Sequence, residues 1–426
     1  MTLPSLQTQP TRTVRAFNLL FRSADWDSID LRPEAMMKRG VLTTRLSDFG
    51  GDGFEERLES ACRSLHFNQN LSPFGRFAAA LFFHFHIENR LRVVERLKER
   101  PYLRDARPRE PIFIVGFYRT GTTLMHNLLG ADPRHTFAAG WELMTPVPFS
   151  EHARLDAALR RIRARAIFDT AAFVAPDVKV AHVVELEGPE EEFFLMENDF
   201  LSTTLINSYE GHDYGFETLS WDMAPVYRSL REQLNIITES RSDRRLILKT
   251  PYHLWHLPAL IKEFPDARFV FTHRSAHEAL ASYSSLSAMT TSKFVREMDL
   301  KKLGKFWFDF YLEGMERAMR SKHLIPEDQR IDVPLPALAK DPIGTVEAIY
   351  RYFGLEFDSL AELPIREKLA SGAGRSQGKH LYTLEQFGLE EATVRRAFKA
   401  YEAFYSGLVD SFPKTHGLSV PLSASR

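Results

Sequence analysis

Pro111-Ile-Phe-Ile-Val-Gly-Phe-Tyr-Arg-Thr-Gly-Thr-Thr-Leu124 reads as a short β-rich run, a glycine-bracketed loop and the start of a helix. Gly116 and Gly121 enclose four residues, the spacing of a P-loop. Consecutive backbone N–H groups followed by a helix N-terminus attract an anionic phosphate. The hydroxyls of Thr120, Thr122 and Thr123 offer further donors. In a nucleotide-hydrolysing P-loop the residue after the second glycine is Lys, followed by a Ser or Thr that holds Mg²⁺. Here Thr122 takes that place and the cation, Arg119, lies inside the loop. The competing reading is a plain strand-to-helix turn with an incidental arginine.

Outward from this stretch the same alternation recurs. β-rich runs at Ile112–Val115, Arg245–Leu248, Arg268–Thr272 and Arg330–Val333 are interleaved with helical patterns at Thr122–Leu129, Leu254–Phe264, Ala276–Leu286 and Pro342–Phe353. Strands separated by helices need crossover connections, which predicts a P-loop-like three-layer α/β fold with a central, mainly parallel sheet flanked by helices. Such sheets bind ligands at the carboxyl ends of their strands, here just after Val115, Leu248 and Thr272. Upstream, Arg76 to Lys98 has helical spacing and Pro101 stops it. The expected division is a helical N-terminal extension over 1–110, an α/β domain over 111–415 and a tail over 416–426.

Composition narrows the function. Among 426 residues, 55 Lys and Arg balance 56 Asp and Glu, which disfavours a chain-long nucleic-acid binder. The single cysteine, Cys62, forms no intramolecular disulfide and no Cys-based zinc cluster, which suits a reducing interior. The apolar stretch Phe77–Phe83 is far short of the ~20 residues that span a bilayer, and Met1 to Arg12 lacks a secretory core. A soluble, cytoplasmic protein without a transmembrane segment is expected, and a homo-oligomer is compatible with it. His84 with His86 and His253 with His256 lack a third ligand at matching spacing, so no metal is expected. The 33 phenylalanines serve a core or an apolar acceptor pocket equally well.

A second informative segment runs from Phe269 through Thr272-His-Arg-Ser-Ala-His-Glu278 to Ser282. Ser275 and Glu278 form an S-x-x-E capping pattern, so a helix is expected to begin at Ala276. Arg274 then sits at a strand end with Ser282 about two turns into the helix, a spacing at which both reach one phosphate. The alternative is a capped helix whose arginine pairs with a surface carboxylate.

Taken in order, these segments resemble the sulfotransferases that use 3′-phosphoadenylyl sulfate (PAPS). Tyr118-Arg-Thr-Gly-Thr-Thr-Leu124 is similar to their 5′-phosphosulfate loop, and Arg274 with Ser282 to their 3′-phosphate pair. Lys249-Thr-Pro251, Val333-Pro-Leu-Pro-Ala-Leu338 and Phe353-Gly-Leu355 resemble later family segments, so the likeness covers about Pro111 to Phe387. Leu248–Leu254 and Arg375 … His380-Leu-Tyr-Thr-Leu-Glu-Gln-Phe-Gly388 resemble the bacterial-type subgroup, whose members act on varied hydroxyl acceptors, including lipid-like ones. Three departures stand out. Arg119 replaces the lysine of the small-molecule enzymes, although the protein-tyrosine sulfotransferases also carry Arg. Pro251 replaces the histidine of Lys-Thr-His. Arg375-Ser-Gln-Gly-Lys379 is only the nearest stand-in for the C-terminal Arg-Lys-Gly motif.

The resemblance implies PAPS as co-substrate, no metal, and a small-molecule, lipid-like or carbohydrate hydroxyl as acceptor. Arg119, Thr120, Gly121, Thr122 and Thr123 would hold the 5′-phosphosulfate; Arg274, Ser282, Arg375 and Lys379 would complete the nucleotide site. Sulfuryl transfer parallels in-line phosphoryl transfer, with Lys249 offsetting charge on the bridging oxygen. The base is expected to be Glu142, by likeness to the Gly-Trp-Glu segment of the protein-tyrosine enzymes. His253, four residues after Lys249, comes second. The run Glu185, Glu187, Glu190, Glu191 and Glu192 comes third, since such runs usually form a solvated face. The rival functions are a P-loop kinase or NTPase and a non-catalytic nucleotide-binding protein. On this reading Lys249→Ala lowers kcat by about 10²–10³, while Arg274→Ala mainly raises the donor KM. Steady-state kinetics showing the reverse split would refute this division of labour.

Overall fold

The computed structural model describes residues 9–21, 29–174, 185–372 and 382–415. β1 (Ile112–Gly116) is apolar along its length and buried at every position, as the middle strand of a sheet covered on both faces must be. It pairs in parallel with β3 (Arg245–Lys249) on one side and β4 (Arg268–His273) on the other. β5 (Arg330–Pro334) extends the sheet beyond β4, and a two-residue strand, β2 (His135–Thr136), extends it beyond β3. The order β2-β3-β1-β4-β5 places the glycine loop in the centre. The four longer strands lie where the sequence predicts them; β2 is too short to leave a pattern.

Alternate side chains on β1 feed two cores. Phe113 and Val115 join Leu248, Phe269 and Phe271 in the larger cluster, while Ile112 and Ile114 join Ile247, Val270 and Val333 on the opposite face. The second face receives the helix Thr122–Leu129, whose Met125, Leu128 and Leu129 are buried there. The register sets Ile114 beside Lys249, Gly116 beside Thr272 and His273 beside Pro334. One carboxyl edge thus carries Gly116, Lys249 and the approach to Arg274.

The helices Pro33–Thr44, Phe54–His66 and Pro73–Glu99 belong to the larger core: Met36, Leu58, Phe83 and Ile87 share one apolar cluster with Phe113 and Val115. Residues before 111 therefore cover one face of the sheet. The long helix begins at Pro73, capped by the Ser72 hydroxyl accepting from the Gly75 N–H, and ends at Glu99. Its first turn meets the segment after the helix Ala276–Thr291 so closely that a Cβ on Gly75 would sit 1.9 Å from the Phe294 carbonyl oxygen. Backbone cannot yield there as a flexible side chain could. Gly75→Ala should cost about 1–3 kcal/mol or more by overpacking, read as a lower midpoint in denaturant unfolding; an unchanged midpoint would show that the contact is soft.

Candidate active site

The glycine loop is shaped by contacts with β4. A Cβ on Gly116 would lie 2.4 Å from the Thr272 hydroxyl and 2.6 Å from its carbonyl oxygen, so no larger residue fits. The Thr120 hydroxyl donates to the Phe117 carbonyl at 2.7 Å and lies 2.7 Å from the Thr272 hydroxyl. Thr120 is thus a fully buried fastener of the loop, its hydrogen committed to the main chain. Arg119 and Gly121 both adopt left-handed backbone, at φ 70° and 96°, which folds the loop over the helix start. No side chain caps the helix Thr122–Leu129, leaving its first N–H groups to an anion.

Sequence-distant cations meet here. Arg274 Nη1 donates to the Arg119 carbonyl at 3.3 Å, and Arg119 Nε donates to the Ser282 hydroxyl at 3.3 Å. Burial depresses the Arg119 pKa, and the neighbouring Arg274 charge adds to this. Such a pair favours an anion between them. Tyr118 stacks on Tyr283 with ring centroids 3.9 Å apart, fastening the loop to the helix that carries Ser282. That helix begins at Ala276 as predicted, but the expected Ser275–Glu278 box does not form. Glu278 is drawn away by Arg274 Nε at 3.0 Å, and Glu402 accepts from the Ala276 N–H at 2.7 Å and the Ser275 hydroxyl at 3.1 Å. The cap comes from the helix Lys399–Thr415.

At the end of β3, the buried Lys249 ammonium bonds the Glu191 carboxylate and lies 3.4 Å from the Thr123 hydroxyl. Glu192 accepts from the Lys249 backbone N–H at 2.9 Å with one oxygen and lies 2.7 Å from His253 Nε2 with the other. His253 Nδ1 is 3.0 Å from the Tyr227 hydroxyl, so both ring nitrogens are occupied in a fully buried side chain. Burial pushes the Glu191 carboxyl up, and the Lys249 charge only partly offsets it. Glu190, raised by burial to about 7, accepts from the Glu185 and Glu191 N–H groups. For Glu192 burial opposes ionisation but the His253 bond prevails, holding it below the ordinary range.

One reading of the carboxylates changes. The expected solvated face is wrong for Glu190, Glu191 and Glu192, which are buried, although Glu187 is exposed. Glu142 is buried too: its Oε2 accepts from the Ala139 N–H at 2.9 Å and from Arg241 Nη2 at 2.6 Å. Backbone bonds from Gly140 to Gly188, Trp141 to Leu186 and Glu190 to Ala138 tie this segment to the one that presents Glu191. Arg375 and Lys379 lie outside the described residues. Phe193-Phe194, directly after the acidic run, is the one local sign that this segment turns inward.

A parallel sheet with an uncapped helix N-terminus, neighbouring guanidiniums and a buried Lys–Glu pair at one edge defines an α/β protein of the P-loop-like class. Residues 111–359 match the sulfotransferase family, and the chain belongs to that family. It is 24% identical over 286 residues to omega-hydroxy-beta-dihydromenaquinone-9 sulfotransferase Stf3 of Mycobacterium tuberculosis and of Mycobacterium bovis, covering 65% of this chain and 71% of each relative. Its fold is similar to the crystal structure of sulfotransferase STF1 from Mycobacterium tuberculosis H37Rv, with TM-score 0.76 and 27% identity over 86% of this chain and 97% of that one. Sulfotransferase STF9 from Mycobacterium avium shares the fold at TM-score 0.78 and 23% identity, over 89% of this chain and 97% of its own. Because Glu402 caps the helix behind Arg274, Glu402→Ala should cost about 0.5–2 kcal/mol of stability. If Arg274 holds the donor, as the resemblance implies, the substitution should also raise the donor KM with kcat nearly unchanged; a loss confined to kcat would contradict that role.

Proposed function

We propose that the chain transfers a sulfuryl group from 3′-phosphoadenylyl sulfate to the hydroxyl of a lipid-like acceptor. One observation carries this reading: Arg119, Arg274, Ser282 and the Lys249–Glu191 pair are gathered by one loop and two strand ends. The donor set fits the nucleotide. N–H groups, guanidiniums and hydroxyls suit phosphates at two ends of one molecule, and the buried carboxylates nearby are already engaged by Lys249 and His253. Among the described residues no group of three or more His, Cys, Asp or Glu is arranged to hold a metal ion.

Bound there, the nucleotide supplies an activated sulfuryl group. Arg119 and the loop amides hold its 5′ end, while Arg274 and Ser282 take the 3′-phosphate. Lys249 donates to the oxygen on which charge grows as the bond to sulfur breaks, where a placed donor contributes most. Glu191 accepts the acceptor's hydroxyl proton, its place fixed by the backbone bonds that Glu142 and Arg241 anchor. His253, with Tyr227 donating to Nδ1 and Nε2–H donating to Glu192, positions Lys249 through its main chain. Phe194, three residues after Glu191, lies in an apolar cluster with Trp141, Phe85 and Phe168, and apolar side chains this close to Glu191 in sequence suit an apolar acceptor such as the one named for Stf3.

Glu191→Gln should lower kcat by about 10²–10⁴ with donor affinity kept within a few-fold. Near-full turnover in that variant, with a collapse in Glu142→Gln, would move the base back to Glu142. Because burial raises the Glu191 pKa, the base is lost as pH falls, so the acid limb of kcat/KM should lie above the ordinary carboxylate value of about 4.3. Calorimetric titration with adenosine 3′,5′-bisphosphate should show metal-independent binding, with ATP weaker; the opposite ranking would favour a kinase.

A further inference from the structure

On two helices in contact with each other, the protein exposes apolar side chains in a patterned arrangement. The helix Arg12–Leu20 leaves Leu19 and Leu20 69% and 76% exposed, while its inner face is fixed by Phe17, which packs on Phe74 and Phe77 at ring distances of 5.5 and 5.7 Å. Phe77 and Leu81, one turn apart on the long helix, are themselves exposed. The helix Ala153–Val174 meets this corner where the Thr11 hydroxyl donates to the Val174 carbonyl at 2.7 Å. Along it Leu155, Leu159 and Ile162 form an exposed stripe at i, i+4 and i+7, and Phe173 continues it at 69% exposure. Scattered surface leucines need no explanation, but patterned ones on contacting helices do.

The flanks are cationic. Arg12, Arg15, Arg154 and Arg165 are exposed and form no ion pair among the described residues. The acids of these two helices are Asp156, buried against Arg160, and the exposed Asp169. An apolar stripe edged by arginines is the composition of a helix lying in a membrane interface. The inner face of Ala153–Val174 joins a further apolar cluster. Its Ala164, Ile167 and Phe168 share that cluster with Phe85 of the long helix Pro73–Glu99 and with Phe194, three residues after Glu191.

We infer that this face docks on the anionic surface of a lipid bilayer, from which the acceptor's hydroxyl end is drawn along the Phe85–Phe168–Phe194 cluster toward Glu191. Exposed leucines and phenylalanines enter the interface and the arginines meet lipid phosphates. No helix among the described residues is long and apolar enough to cross a membrane, so the contact is with a surface. The inference takes its purpose from the lipid-like acceptor proposed above, but binding is measured without turnover.

The test is flotation of the full chain with vesicles of phosphatidylcholine alone and with about one-third phosphatidylglycerol, at about 0.1 M salt. The anionic vesicles should retain the protein at least about tenfold better. Leu20→Glu combined with Ile162→Glu should abolish retention, and Arg12→Gln with Arg154→Gln should remove the preference for anionic lipid, at about fivefold per arginine. Both variants should keep the thermal midpoint and the affinity for adenosine 3′,5′-bisphosphate. Absence of vesicle binding, or equal binding to both compositions, overturns the inference. So does loss of self-association in the glutamate variant, by ultracentrifugation, with vesicle binding unchanged; the face then belongs to a second copy. Vesicle binding without sulfation of any long-chain alcohol leaves the docking standing and defeats the acceptor reading. Sulfation of such alcohols in detergent without vesicle binding does the reverse.

Discussion

The buried charge pair at the end of β3 is the constraint on which the site depends. Burying an ammonium and a carboxylate costs several kcal/mol per ion unless each is paired and its remaining hydrogen bonds are met. Lys249 meets that condition with Glu191 and Thr123 on the side chain, and with Glu192 on the main chain. Glu192 in turn is held by His253, and His253 by Tyr227. The chain of Glu192, His253 and Tyr227 is hidden from solvent. It fixes where Lys249 and Glu191 stand before any ligand arrives, and such preorganisation is what charge-stabilising catalysis requires. Removing one member strands a buried charge, which typically costs about 3–5 kcal/mol, so the network couples stability to chemistry.

The fold was legible because its signals are local. β1 is an unbroken apolar run, Gly116 and Gly121 mark the loop, and Pro101 and Ser275 mark helix ends, so strand and helix positions followed from the chain itself. Arg274 and Ser282 were legible for the same reason: they lie on one strand–helix unit, and their meeting with Arg119 follows from β1 and β4 being neighbours. The burial of the acidic run was not legible. Whether an acidic run is solvated or buried depends on what packs over it, and here the cover comes from residues 138–141 through backbone bonds that leave no side-chain pattern. Glu142 drew attention as a family-like carboxylate, and it serves that same pairing by gripping Arg241 and the Ala139 N–H.

The cap at Ala276 shows a second limit of local reading. Ser275 and Glu278 have the right spacing to cap the helix, yet Arg274 competes for Glu278 and a carboxylate from the far C-terminal helix takes over. Tyr401 on that helix also donates to the Arg274 carbonyl at 3.0 Å. Local propensity set the start of the helix, and tertiary contacts chose which side chains satisfy it.

On the proposed function, the stacked rings of Tyr118 and Tyr283 bear on selectivity between nucleotides. They clamp the glycine loop to the helix bearing Ser282, so the two segments proposed to hold the nucleotide's phosphates behave as one rigid jaw. A ligand that fills only one half then gains little from the other half's readiness. Recognition on that reading becomes a matter of matching the span between two phosphates, as a caliper set to one width passes over shorter objects.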